Sequence, residues 1–192
     1  MKFSIPLALC YLTTGVYSYV AAEPPTRVLA RDVPSIVERD LATATSVLAD
    51  VKSGFNKVSD ATNGFSGDIA PFKSAAEGLL STVSSGTTAV KNMTPLSTTD
   101  CFSLIGPAGD LKKQGQALAD TLKGKKADLQ KARDCATVYD VLDRGYQASA
   151  GLITAIVNKV PSGFKSTVQS QGDEVTNTLK DTRDQFSPAN CS

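Results

Sequence analysis

The stretch GLITAIVNKVPSGFKSTV, residues 151–168, decides the fold. Leu152, Ile153, Ile156, Val157 and Val160 fall at helical spacing, and Pro161 with Gly163 then stops the pattern. Phe164 and Val168 open a new stripe four residues apart directly afterwards. Two helices joined by so short a break fold most simply side by side and antiparallel. The apolar band on the first is wide for one helix face. It must be covered either by sister helices or by a foreign apolar surface.

The same reading extends in both directions. Toward the C-terminus, Phe164, Val168, Val175, Leu179 and Phe186 mark a helix over about 164–186. Toward the N-terminus, Val138, Val141, Leu142, Tyr146 and Leu152 carry the preceding helix back to about 136. Leu104, Leu111, Leu118, Leu122 and Leu129 define a third segment, in which Pro107 and Gly109 predict a kink or a split. "TPLSTTD" at 94–100 offers Ser or Thr as its N-cap, with Asp100 in the first turn. A second stripe holds Ile69, Phe72, Ala76, Leu79, Leu80, Val83 and Val90, weakened at "SSGTT" (84–88) by Gly86. The first begins after Pro34 with Val37, Leu41, Ala44, Leu48, Val51, Phe55 and Val58, a heptad-like seam ended by turn chemistry at 59–68. No period-two alternation competes. The expected fold is all-α, an antiparallel up-down bundle of about five amphipathic helices, the third kinked or split near Pro107.

Residues 1–22 lie outside that fold. Lys2, an apolar run broken by Pro6, Thr13, Thr14, Gly15 and Ser18, and the small-residue end Val20-Ala21-Ala22 have the layout of a secretory signal peptide. The run is too short and polar for a span of about 20 apolar residues. The expected organisation is a signal peptide at 1–22, an extended leader at 23–33 and a single helical-bundle domain at 34–192. No transmembrane segment is expected, and the product is secreted, extracellular or in a cell wall.

Loss of residues 1–22 removes one base and no acid, so 20 basic against 19 acidic residues becomes 19 against 19. A neutral chain has no electrostatic footprint for nucleic acid. Histidine is absent, which removes the usual base for a Ser or Cys nucleophile and the commonest metal ligand. No metal and no cofactor are expected. Asp140 with Asp143, and Asp181 with Asp184, share helix faces but sit outside the apolar stripes that would raise a carboxylate's pKa. An enzyme is not expected. Asn92-Met93-Thr94 is an N-glycosylation sequon in a connection between helices.

Cys101, Cys135 and Cys191 remain after the leader, in an oxidising compartment. In an up-down bundle Cys101 begins the third helix, at one end. Cys135 precedes the fourth and Cys191 follows the fifth, both at the opposite end. A bridge needs Cα atoms within about 7 Å, and a helix of 24 residues is about 36 Å long. Cys135–Cys191 is therefore the expected disulfide, leaving Cys101 over.

The order of these features resembles the fungal hydrophobic surface-binding protein A family, also called the cell-wall galactomannoprotein or mannoprotein-antigen family. "RDVPSIVERDLATATSVLADV" (31–51) matches the family's start. Asp100, Leu104 and Pro107 open the third helix, Lys125-Lys126 lie near its end, Val138 and Leu142 follow, and Lys159-Val160-Pro161 closes the fourth. The resemblance covers nearly the whole chain after residue 22. It implies a helical protein secreted by a filamentous fungus that adsorbs to hydrophobic surfaces or holds fatty-acid-like lipid inside its bundle. The three cysteines depart from the family's pattern, which bears on how freely the bundle opens.

On that reading Leu79, Leu80, Leu111, Leu118, Leu142, Tyr146, Ile153, Ile156 and Phe164 line the apolar interior, with Tyr146 able to hydrogen-bond a carboxylate. The interruptions Ser84, Gly86, Thr87, Gly115, Ser149, Ser170 and Gly172 suggest loose packing that admits an acyl chain. The surplus width of the 152–160 band would serve the same cavity or an adsorbing face. The alternatives are a secreted interaction module (an inhibitor or effector) and a structural wall mannoprotein without a discrete ligand. Cell-wall polysaccharide or a secreted hydrolase would then be the partner.

Overall fold

The computed structural model describes residues 36–191, with side chains from Asp40 onward. The signal peptide and leader expected at 1–33, and Val37 of the first stripe, lie outside these described side chains. Among the described residues six helices follow one another: α1 Ile36–Asn63, α2 Ala70–Asn92, α3 Thr98–Gly124, α4 Lys126–Ala132, α5 Cys135–Val157 and α6 Ser162–Gln185. Five are long, and α4 is a single short piece between α3 and α5.

The long helices close a ring. α1 packs on α2, α2 on α5, α5 on α6, α6 on α3, and α3 back on α1. Each therefore buries one face toward the middle and two flanks against neighbours. This explains the wide band of α5. Leu152, Ala155 and Val160 are buried, while Ile153, Ile156 and Val157 are half-buried on a flank. Ile153 rests on α6 at Gly172, where an added Cβ would overlap its side chain. The surplus width thus covers a second neighbour.

Gly172 and Gly86 correct the expectation of loose packing. Both are buried, and a Cβ at Gly86 would lie 2.7 Å from Val47 Cγ1. They mark places where helices approach closely, for which the missing side chain is the condition. α2 consequently runs unbroken through "SSGTT".

Two other boundaries differ from the sequence reading. α1 continues four residues past Ser59, because the buried Thr62 hydroxyl donates to the Val58 carbonyl (2.7 Å) and Phe65 tucks in beyond it. α3 is not split at Pro107; it runs from Thr98 to Gly124 with the proline inside. Pro107 removes one i→i−4 bond, to the carbonyl of Ser103, an exposed residue at which water can take the place of the lost donor. The break falls instead at Lys125. Ser97 caps α3 in a reciprocal box: Asp100 N–H donates to Ser97 Oγ (3.2 Å) and Ser97 N–H to Asp100 Oδ2 (2.9 Å).

The two ends of the bundle are tied differently. At one, the connection after α2 meets the connection after α5: Leu96 N–H donates to the Lys159 carbonyl (2.7 Å), and Lys159 Nζ to the Met93 carbonyl (2.5 Å). Thr94 N–H reaches Asp40 of α1 there (3.1 Å). At the other end a disulfide joins Cys135 to Cys191, with Cα atoms 5.8 Å apart. Cys101 is a buried free thiol. Its pKa is raised by burial and by the neighbouring Asp100.

Candidate apolar binding site

All five long helices contribute side chains to one internal cavity of about 50 Å³. Phe55 and Val58 come from α1, and Phe72, Ala76, Leu79, Leu80 and Val83 from α2. Leu118 and Leu122 come from α3, Val141, Leu142, Gly145 and Ser149 from α5, and Leu179 from α6. The lining is aliphatic and aromatic except for the Ser149 hydroxyl.

Of the expected interior residues, Leu79, Leu80, Leu118 and Leu142 meet at this cavity. Leu111, Ile156 and Phe164 pack half-buried against the core elsewhere, and Ile153 sits on the α5–α6 flank. Tyr146 points away from the cavity lining: the Arg183 guanidinium lies over its ring at 5.6 Å, and over that of Tyr139 at 5.8 Å. The reason is helical phase. Leu142, Gly145 and Ser149 follow three-and-four spacing along the inner face, and Tyr146 is turned roughly 100° past Gly145. The small residues at 145 and 149 carry no hydrophobic signal, so apolar spacing alone points to Tyr146, one residue past the inner face. Phe55, Phe72 and Leu179 stood in the stripes, but no pattern in one helix tells which stripe residue meets the other four helices.

Polar side chains lock the outer seams of the ring unequally. Across α2–α5, Arg144 grips Glu77 with two bonds of 2.5 and 2.7 Å. Across α5–α6, Arg183 binds Asp143 at 2.7 Å and the adjacent Asp184 at 2.9 Å, while stacked on the two tyrosines. Asp140 pairs with Arg144 at 3.8 Å, and Asp184 also with Lys180 at 2.9 Å. Asp140, Asp143 and Asp184, weighed above as acid–base candidates, are thus held in ion pairs. Among the described residues no group of three metal-ligating side chains occurs, and no helix is long and apolar enough to cross a membrane.

The hydrogen bond from Arg144 holds the Glu77 carboxyl below its usual range, and Lys180 and Arg183 do the same for Asp184. A folded-state pKa below the unfolded one stabilises at pH above the unfolded value, and that contribution is lost as pH falls through the folded value. Arg144→Gln should return the Glu77 titration to ordinary carboxylate behaviour. A carboxyl-carbon NMR titration reads this directly, and an unmoved midpoint would rule out the bidentate pair in solution.

A ring of five long amphipathic helices around one apolar cavity defines an all-helical bundle with an apolar centre. The hydrophobic surface binding protein A family matches residues 41–158, and the chain belongs to that family. It is 33% identical over 190 residues to cell wall mannoprotein 1 of Aspergillus fumigatus, covering 98% of this chain and 61% of that protein. It is 29% identical to cell wall mannoprotein 1 of Aspergillus flavus, covering 76% and 54%. The chain thus spans less than two thirds of the length of these relatives. Among solved structures it is similar to ligand binding domain 2 of the Penicillium marneffei MP1 protein, complexed with multiple arachidonic acids. The TM-score is 0.76 at 25% identity, over 79% of this chain and 99% of that one. A protein crystallised with palmitic acid shares the fold at a TM-score of 0.73 and 22% identity, over 77% and 99%.

Proposed function

We propose that this is a secreted, non-enzymatic protein of the cell wall or medium that binds long-chain fatty acid within its bundle. The observation that carries the reading is the convergence of all five long helices on one apolar cavity. Fatty acids bound to the similar MP1 domain and to the palmitic-acid complex support it. Small-molecule pockets usually measure about 300–1,000 Å³, so a cavity of about 50 Å³ must expand to hold an acyl chain. Native mass spectrometry of protein purified from a fungal host tests the reading. Fatty acid should co-purify, and delipidated protein should take up palmitic or arachidonic acid. Protein that stays empty after such loading would defeat it.

A second activity, adsorption to hydrophobic surfaces, has its own observation. Phe102 and Ile105 are the large hydrophobic side chains that stand exposed on the described surface, at 61% and 53%. They lie one turn apart on α3, and Phe102 meets Phe164 edge-on with ring centroids 5.3 Å apart. Replacing both by serine should weaken adsorption to alkyl beads by about tenfold or more, given about 1.5–3 kcal/mol for a fully buried side chain of this size. Wild-type adsorption should persist in molar salt, where exposed ionic contacts are screened. Fatty-acid uptake should be unaffected by the double substitution. Equal adsorption by the variant would place the adsorbing face elsewhere.

A further inference from the structure

We propose that the seam between α3 and α6 is the entrance through which an anionic single-chain lipid reaches the cavity, with Lys112 receiving its carboxylate. The proposal rests on the fatty-acid reading above and adds a route and a head-group contact to it.

The cavity must widen, so some seam of the ring must part. Four of the five seams are held by features that resist this. α1 and α2 are in close approach at Gly86 and at Gly54, whose added Cβ would meet Leu79 Cδ1 at 2.7 Å. α2–α5 carries the Arg144–Glu77 fork, and α5–α6 carries Arg183 with Gly172. α1–α3 carries only similarly exposed polar contacts, Lys52–Asp110 at 3.4 Å and a Gln114–Asn56 hydrogen bond, but is packed more extensively than α3–α6. α3–α6 is the least extensively packed of the five seams and holds a groove of about 540 Å³. The α1–α2 groove of about 750 Å³ lies over the close approaches at Gly54 and Gly86, and the α2–α5 groove of about 530 Å³ shares no residue with the cavity. The α3–α6 groove is crossed by the exposed Lys112–Glu174 ion pair and a long Thr178–Gln116 hydrogen bond of 3.5 Å. Exposed ion pairs are weak latches, of about 0–1 kcal/mol.

The groove and the cavity also share walls. Phe55 and Leu179 line both, so these two side chains are all that both spaces have in common. A rotamer change at each, with slight separation of α3 from α6, joins them. Gly115 lines the groove above Phe55, and its hypothetical Cβ lies 3.9 Å from the ring, which leaves the ring room to swing. Lys112 and Lys113 line the groove together with Glu174 and Asp181, and Lys112 pairs with Glu174 across it. An entering carboxylate takes the place of Glu174 on Lys112, and Glu174, already half-exposed, is released to water. The acyl chain passes between Phe55 and Leu179 while the head group stays at the mouth. The exchange swaps one ion pair for another and leaves no buried charge unpaired.

Stopped-flow binding of a conjugated polyene fatty acid and of its methyl ester to the delipidated chain tests this. Gly115→Leu wedges the groove at Phe55 and should slow both association and dissociation by at least about tenfold, within the one to three decades that variants of one site span, while the dissociation constant changes little. Glu174→Gln, a surface change that leaves folding intact, should speed both rates a few-fold. Lys112→Ala should remove the preference for the acid over the ester. Wild-type rates in Gly115→Leu, or an unaltered acid preference in Lys112→Ala, would overturn the route or the head-group contact while fatty-acid binding itself stands. Failure of the wild type to bind the probe acid at all would overturn both this proposal and the reading beneath it.

Discussion

Replacement of Cys135 and Cys191 by serine is expected to lower the folding free energy by about 4 kcal/mol and the melting temperature by about 10 °C. The bridge spans 56 residues of sequence, from the start of α5 to the residues after α6. Removing it frees a loop of that length in the unfolded chain, and the chain-entropy account converts the length into the stated loss. Helices α5 and α6 would remain paired by Arg183 and by the Ile153–Gly172 contact. The variant should therefore keep its helicity at low temperature and unfold earlier on heating. Circular dichroism melts with and without reductant measure this on the native chain as well. A melting point indifferent to reduction would mean the bridge does not form in solution. The same preparation should show one slow thiol, because Cys101 is buried and its pKa is raised. It becomes fast only on unfolding, since the thiolate is the reactive form.

Phe186→Ala should be as damaging, at about 3–5 kcal/mol. Phe186 is fully buried just past the end of α6, and its N–H caps the helix by donating to the Arg183 carbonyl (2.9 Å). In a close-packed interior the surroundings relax only partly, so the deleted ring leaves a cavity. Phe102→Ala is the control: its ring is mostly in solvent and its loss should stay within about ±0.5 kcal/mol. Chemical denaturation of the two variants side by side reads the difference. Equal midpoints would contradict the packing at this end of the bundle.

Much of this protein is written in local chemistry. Spacing of apolar residues, Pro161, and the Ser97–Asp100 box specify where helices run and turn, because those signals act within a few residues. Up-down order then follows from short connections, and from it the placement of Cys135 near Cys191. The phase of each face around the ring was beyond that reach. Tyr146 and Ile153 look as apolar in sequence as Leu142, yet only Leu142 reaches the cavity, because α5 must satisfy α2, α6 and the centre at once. Gly86 and Gly172 read as defects until their neighbours Val47 and Ile153 are seen against them. Pro107 reads as a break, yet α3 carries it where Ser103 faces water. A stripe of apolar residues says that a face will be buried; only the packed ring says against what, and which seam is left able to part.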